Sequence, residues 1–223
     1  MIDYTVDNTF LLVNKPLNWS SFDVVKKLKY GLKPKKIGHA GTLDPLATGL
    51  LVLGVNKYTK RLEEVQSLSK TYSGIIEIGK TTPSFDLETE FNSESDYHHI
   101  SQHSIAAAVA KLTGEIKQLP PAHSAVKVNG VRAYKMARQN EHVVLKERTV
   151  NILRFDIVKV DLPEIHFEVD CSKGTYIRSL ANDFGKLLGT GAYLKKLIRT
   201  RIGDFKLEDA HELDDLIPQK ANS

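Results

Sequence analysis

The spacing of apolar residues changes period several times along the chain, and each change marks an element. Phe10 to Val13 is an unbroken apolar run of strand length. Ser20 or Ser21 follows as a cap for a helix whose apolar positions Phe22, Val25 and Leu28 recur at helical spacing. Leu50 to Val55 is a second continuous apolar strand, Tyr58 to Gln66 reads as helical, and Tyr72 to Gly79 is a strand closed by glycine. From Thr81 to Ser101 the chain is polar and acidic and reads as a loop, before an alanine-rich helix from Ile105 to Leu112. Pro120-Pro121 then breaks regular structure. Further strands are predicted at Ser124 to Val128, Val150 to Val160, Ile165 to Val169 and Leu194 to Ile202. Helices are predicted at Arg132 to Gln139, at Thr175 to Leu188 as an amphipathic segment, and as a short element around Glu208 to Leu216. Strands and helices mix without regular β-α-β alternation or internal repeat, which predicts an α+β fold with a mixed, largely antiparallel central sheet flanked by helices. The whole of residues 1–223 reads as a single domain, with Pro120 to Arg148 as a projecting lobe.

Composition narrows the class. A chain of 223 residues that is 41% hydrophobic can bury an ordinary core. No apolar run approaches membrane-spanning length, and the segment Met1 to Asn8 carries Asp3 and Asp7 without a basic cluster, so neither a membrane span nor a secretory signal is expected. Cys171 is the one cysteine, which excludes a disulfide framework or a thiolate metal site and makes a cytoplasmic setting the expectation.

The net charge of +4 matters less than its distribution. Lys26, Lys27, Lys29, Lys33, Lys35 and Lys36 form one basic group; Lys127, Arg132, Lys135, Arg138, Lys146 and Arg148 a second; Lys186, Lys195, Lys196, Arg199 and Arg201 a third. Acids gather at Asp86, Glu88, Glu90, Glu94 and Asp96. A lone basic cluster is ordinarily a solvated face, but three of them supply the phosphate contacts that dominate nucleic-acid affinity.

The run Gly38-His39-Ala40-Gly41-Thr42-Leu43-Asp44-Pro45-Leu46-Ala47-Thr48-Gly49 sets a single carboxylate in a rigid loop. Glycines permit tight turns, and Pro45 fixes its own φ and biases Asp44 toward extended backbone. Thr42 and Thr48 offer hydroxyls to tie the loop to its own backbone, and Leu43, Leu46 and Leu50 can anchor it in a core. In isolation Asp44-Pro45 reads as a turn or helix N-cap. The full run, however, resembles the catalytic motif of the TruB family of transfer-RNA pseudouridine synthases. Further segments match that family in order: Asn14-Lys15-Pro16, Ser20-Ser21-Phe22, Lys70-Thr71-Tyr72, Pro120 to Lys127, and Cys171 to Arg178.

The resemblance implies a pseudouridine synthase fold in which Pro120 to Arg148 is a thumb that closes over the T loop of transfer RNA. It implies that Asp44 is the catalytic carboxylate, that Arg178 holds it ionised through a two-point guanidinium grip, and that Tyr72 stacks on the uracil and assists proton removal at C5. His39 then fills the space left by the extruded base, Tyr176 lines the pocket, and Lys15, Lys127, Lys135 and Arg138 join the substrate-binding set. The motifs are complete soon before Ser223, so a further C-terminal RNA-binding domain of the PUA type is not expected, and with it no guide RNA. The expected partner is the T arm of transfer RNA, with the chain as a monomer.

Other chemistry finds less support. His99 and His103 stand four apart, but no carboxylate completes a His-Glu-x-x-His pattern and Cys171 is remote, so no metal is expected. With no phosphate-cradling glycine motif, no nucleotide cofactor is expected either. A noncatalytic transfer-RNA folding factor would not require Asp44, Tyr72 and Arg178 together, and a small-molecule hydrolase would not explain the basic clusters.

Overall fold

The computed structural model describes residues 8–124, 127–128, 131–133, 136 and 145–217. The chain divides into two compact units, residues 1–72 with 197–223 and residues 73–196, and strands β4 (Lys70–Ile78) and β12 (Ala192–Ile202) run from one into the other.

In the first unit, β1 (Asn8–Lys15) pairs antiparallel with β3 (Ala47–Asn56), which pairs antiparallel with β2 (Ile37–Ala40) and parallel with the end of β12. The sheet is buried on both sides, which explains the unbroken apolar run from Leu50 to Val55. Leu51, Leu53 and Val55 point with Leu11 and Val13 toward helix α1 (Ser21–Leu32) and meet Val24, Val25 and Leu28. Leu50 and Val52 point the other way, into a cluster with Ala40, Val65 and Ile202. This is the period of two expected of a strand, with apolar residues at both phases. Ser20 caps α1 by a reciprocal arrangement: its hydroxyl accepts from the Asp23 amide at 3.1 Å, and the Asp23 carboxylate accepts from the Ser20 amide at 3.0 Å. Val24 rather than Phe22 completes the buried stripe, leaving Phe22 68% exposed.

The second unit packs helices α3 (Gln102–Lys111) and α4 (Ile177–Leu188) with a sheet containing β4, β11 (Glu164–Cys171), β10 (Arg148–Asp161) and β7 (Gly114–Gln118) in that order. Strand β11 alternates strictly, burying Ile165, Phe167, Val169 and Cys171. Phe155 meets Phe167 and Phe184 edge-on or tilted at 5.9 and 6.0 Å, joining β10, β11 and α4. On the opposite face of the hairpin, Arg154 gathers Asp156, Glu168 and Asp170. The Thr81 to Ser101 loop contains a small hairpin, β5 (Lys80–Thr81) with β6 (Ser93–Glu94), and buries Thr82, Ser84 and Asp86.

The α+β class and the mixed, largely antiparallel pairing match the sequence reading, with corrections to individual elements. The segment around Glu208 to Leu216 is not helical: β13 (Phe205–Lys206) leads through a 3-10 turn at Leu207–Asp209 into β14 (His211–Glu212), which pairs parallel with β1. Its leucines Leu213 and Leu216 still reach the core beside α1, while Asn14 donates to Glu212 at 2.7 Å. Tyr58 to Gln66 divides into a 3-10 segment, Lys57–Arg61, and the short helix α2 (Leu62–Ser67). Thr175 to Leu188 starts at Ile177 and is buried around most of its circumference rather than on one stripe. Strand β7 escapes a sequence reading because Gly-Glu-Ile-Lys-Gln has one apolar residue, as suits an edge strand. Of the predicted lobe, β8 (Lys127–Val128) and β9 (Val131–Arg132) pair antiparallel, and the predicted helix Arg132 to Gln139 falls largely outside the described residues.

Gly49 is the tightest point of the first unit's sheet. Its φ is +100°, and a Cβ there would lie 2.4 Å from the Arg199 carbonyl oxygen and 2.8 Å from the Arg199 nitrogen. Backbone cannot yield as a flexible side chain does, so Gly49→Ala is expected to cost about 3 kcal/mol or more from strain and overpacking together. Urea denaturation at neutral pH checks this; a loss below about 1 kcal/mol would mean β3 and β12 separate more freely than the packing indicates.

Candidate functional site

Asp44 lies between β2 and β3 in a hydrogen-bonded turn, half-buried, with its carbonyl accepting from the Ala47 amide at 3.0 Å. No helix follows, so the N-cap reading is excluded and Pro45 takes the second position of a β-turn, where its fixed φ fits. The residues on either side of Asp44 are clamped from outside the loop. Before it, the Leu43 amide donates to the buried Ser21 hydroxyl at 2.8 Å, and that hydroxyl lies 3.2 Å from the Leu43 carbonyl oxygen. After it, the Pro45 carbonyl accepts from the Asn18 amide at 2.9 Å and from Lys15 Nζ at 3.4 Å. The two serines thus divide their work: Ser20 caps α1 and Ser21 fixes the loop. The ties expected of Thr42 and Thr48 are supplied by these outside groups instead.

Lys15 and Arg199 are both buried to within 1% of full burial, and both donate to backbone carbonyls. Lys15 Nζ donates to Trp19 at 2.6 Å and to Pro16 at 2.9 Å, in addition to Pro45. Arg199 donates from Nε to Leu50 at 2.8 Å and from Nη2 to Gly41 at 3.2 Å, so one guanidinium grips both ends of the Asp44 loop. Burial pushes the Lys15 ammonium down from 10.5 to about 8; attraction to Asp44 opposes that fall and the Arg199 charge adds to it. The sequence places Lys15 among the expected substrate-binding residues. The structure assigns its ammonium to the protein interior, where three carbonyls take it.

His39 stands on β2, half-buried, with Nδ1 buried and unbonded among the described residues. Burial, followed by the Arg199 charge, pushes its pKa down, so the ring is neutral near pH 7. Tyr72 is buried on β4, in the same compact unit as Asp44, His39 and Lys15. Its strand neighbours are anchored: Lys70 Nζ donates to the carbonyls of Gln66 and Leu68 at 2.5 and 2.6 Å, and the Thr200 hydroxyl donates to the Thr71 carbonyl at 3.3 Å.

Arg178 and Tyr176 belong to the second unit, at the start of α4. Arg178 is 3% exposed, donates from Nη1 to Ser84 at 3.2 Å and from Nη2 to His123 at 3.0 Å, and sets Nε 3.5 Å from a carboxylate oxygen of the buried Asp86. That pairing offsets the unfavourable placement of a cation in a helix's first turn. Asp86 is the residue sequence reading misses, because it sits in an acidic stretch that looks solvated. The buried companions Thr82 and Ser84, whose hydroxyls donate to the Asp86 carbonyl at 2.6 and 3.1 Å, are the available signal. Tyr176 is gripped at both backbone groups by buried Gln118, which accepts from its amide at 2.7 Å and donates to its carbonyl at 3.0 Å.

The remaining expected residues stand apart from this picture. Lys127 lies on β8, and Lys135 and Arg138 lie outside the described residues. The third basic cluster is not one surface: Arg199 is interior, and Lys195 is held by Glu77 and Glu164 at 2.6 and 2.7 Å. His99 precedes α3 while His103 is within it, so the two do not share a helical face; His99 instead lies 3.7 Å from Asp96.

The depressed Lys15 pKa has a thermodynamic consequence. Between pH 8 and 10.5 the unfolded chain holds a proton on Lys15 that the folded chain gives up, so stability from this group rises with pH through that window. Below pH 8 the penalty of burying the charge is present in full. The unfolding free energy of the wild type minus that of Lys15→Met should therefore increase from pH 7.5 to pH 10, with other titrations cancelling in the difference. Urea melts of both proteins at the two pH values decide it, and a difference that stays flat or falls would show that the buried ammonium is not destabilised.

Known proteins resemble this chain along nearly its whole length. The model of the TruB family pseudouridylate synthase N-terminal domain matches residues 29–177, and that of the tRNA pseudouridylate synthase B C-terminal domain matches residues 178–222. The tRNA pseudouridine synthase B of Flavobacterium johnsoniae is 49% identical over 215 residues, covering 93% of this chain and 94% of that protein. Its counterpart in Chlorobaculum tepidum is 43% identical over 218 residues, covering 96% and 91%. Among solved structures, a Cbf5–Nop10–Gar1 complex aligns with a TM-score of 0.73 at 28% identity, covering 94% of this chain and 53% of the other, so the chain spans about half the length of that structural relative. The clamped Asp44 turn falls inside the first matched region and the Arg178 helix opens the second: the chain belongs to the TruB family of pseudouridylate synthases.

Proposed function

We propose that this protein isomerises uridine to pseudouridine in transfer RNA, at a position in the T loop, with Asp44 as the carboxylate that acts at the sugar. The observation that carries the reading is the immobilisation of Asp44, whose two flanking residues are clamped by Ser21, Asn18 and Lys15 while Arg199 grips the loop ends. A reaction that breaks the bond from N1 to the sugar, turns the base and rejoins it through C5 adds and removes no group. It needs a fixed carboxylate, a pocket that retains the free base, and exclusion of water. Asp44 serves either as nucleophile at the sugar carbon or as base toward the neighbouring 2' proton.

The family pattern supplies the other roles. Arg178 holds the reacting carboxylate ionised, and its guanidinium is already oriented by Asp86 and two carbonyls, so its direction costs little to maintain. Tyr72 stacks on the uracil and assists at C5, and Tyr176 lines the pocket. The target base must leave its stack, and the neutral His39 ring is suited to occupy the vacated space because it carries no charge to desolvate. Relatives named tRNA pseudouridine synthase B at 43% and 49% identity support transfer RNA as the substrate.

Tritium release from C5-labelled uridine in an unmodified transfer-RNA transcript tests the activity. Asp44→Asn keeps the shape and removes the charge, so turnover should fall by more than about a hundredfold, a barrier increase above roughly 3 kcal/mol, while RNA affinity changes little. Retained turnover would remove Asp44 from the reaction.

Arg178→Lys keeps the charge but loses the planar two-point grip, and single-turnover rates should fall by about a hundredfold as well. Near-normal rates in a folded Arg178→Lys protein would overturn the pairing assigned to it.

A further inference from the structure

Helix α1 presents an outer face unlike that of an ordinary surface helix. Phe22, Lys26, Lys29 and Lys33 follow one another at spacings of three and four, with Tyr30 beside Lys29, and all five are exposed, Phe22 at 68% and Tyr30 at 73%. Beside this stripe is a cleft of about 390 Å³ lined by Asn18, Trp19, Asp23, Lys26, Lys27 and Tyr30. Its wall is aromatic and its rim is cationic. Trp19 packs its inner side against the core, and Lys27 Nζ stands 5.3 Å from the centre of its ring. The acids nearby are already engaged: Asp23 with the Ser20 amide and hydroxyl, and Asp214 with Lys27. The lysines toward the end of the helix and just past it, Lys29, Lys33, Lys35 and Lys36, have no acidic neighbour in sequence.

Each half of this arrangement has an alternative. Isolated exposed aromatics are common, and a run of lysines is ordinarily solvated. Rings and ammonium groups sharing one cleft fit a more particular partner, because a nucleotide offers a flat apolar base and a phosphate within one residue of chain. Stacking on aromatic rings beside a positive track is how single-stranded nucleic acid is held without sequence preference. An anionic membrane would also attract the lysines, but it would favour aliphatic side chains along the stripe, where the sequence places lysine. Resting on the transfer-RNA reading above, we propose that the Trp19–Tyr30 cleft binds an unstacked nucleotide of the transfer RNA, its base against the two rings and its phosphates toward Lys26 and Lys29, as a site separate from that of the uridine that reacts.

Trp19 is the single tryptophan of the chain, so its emission reports on the cleft directly. Titration of the intact protein with unmodified transfer-RNA transcript should quench that emission with a midpoint matching filter binding. Tyr30→Ala should weaken transfer-RNA binding by about tenfold and Tyr30→Phe should restore it, since stacking needs the ring and not the hydroxyl. Lys26→Ala with Lys29→Ala should flatten the dependence of log affinity on log salt by roughly one unit for each phosphate the protein no longer neutralises. Filter binding of transfer RNA without Trp19 quenching, and with affinity and salt slope unchanged in these variants, would overturn the cleft while leaving the catalytic reading intact. Quenching by vesicles of phosphatidylserine but not by transfer RNA would assign the face to a membrane and overturn it too. Absence of any transfer-RNA binding or tritium release by the wild type would instead strike the functional reading itself, and this inference with it.

Discussion

A glycine between two buried cations is the constraint on which the Asp44 loop depends. In the first unit's sheet, Lys15 of β1 and Arg199 of β12 both register with Gly49 of β3, making one row across three strands. Directly paired residues point to the same side of a sheet. The missing side chain at Gly49 lets the strands close to backbone contact, and the flanking cations reach the loop that leaves β2 and enters β3. A charge taken out of water costs several kcal/mol unless it is compensated, and these two are compensated by carbonyls of the loop and its neighbours. The compensation is also the mechanism of positioning, because a carbonyl bonded to a buried cation cannot drift. Positive charge accumulated there favours an anion on the turn, and Asp44 is that anion.

The second unit reaches rigidity by a different balance. Arg178 is also buried, but a carboxylate and two carbonyls share it, so its charge is matched locally and its plane is set by the loop bearing Asp86. Gln118 does for the backbone of Tyr176 what Ser21 does for Leu43, holding donor and acceptor of one residue with one side chain. Such two-point grips account for how a loop and a helix start can carry fixed functional side chains without extensive apolar cover. Charges elsewhere are paired at the surface, as in the Arg154 and Lys195 groups. The lysines on α1 differ in standing beside exposed rings, which gives that face its affinity for a partner.

Sequence alone determined the α+β class, the continuous apolar strand from Leu50 to Val55 and a helix capped at Ser20 or Ser21, and it singled out the Asp44 run as the candidate place of chemistry. These features are local: each depends on the period of nearby side chains, on caps within one turn, or on a motif contiguous in the chain. Tertiary structure decided what depends on residues far apart. Nothing near Lys15 or Arg199 in sequence says that their charges turn inward, since a lysine beside a proline and an arginine in a basic strand look solvated until β1, β3 and β12 are laid side by side. Asp86 was hidden for the same reason, its partner lying 92 positions away in α4. The tail around Glu208 to Leu216 had apolar spacing suited to a helix, and only the free edge of β1 made a strand the better use of its backbone hydrogen bonds. Helical spacing likewise promised that Phe22 would be buried; the face of α1 packed against the sheet carries Val24 instead and leaves the ring outside, on the stripe beside the proposed nucleotide cleft.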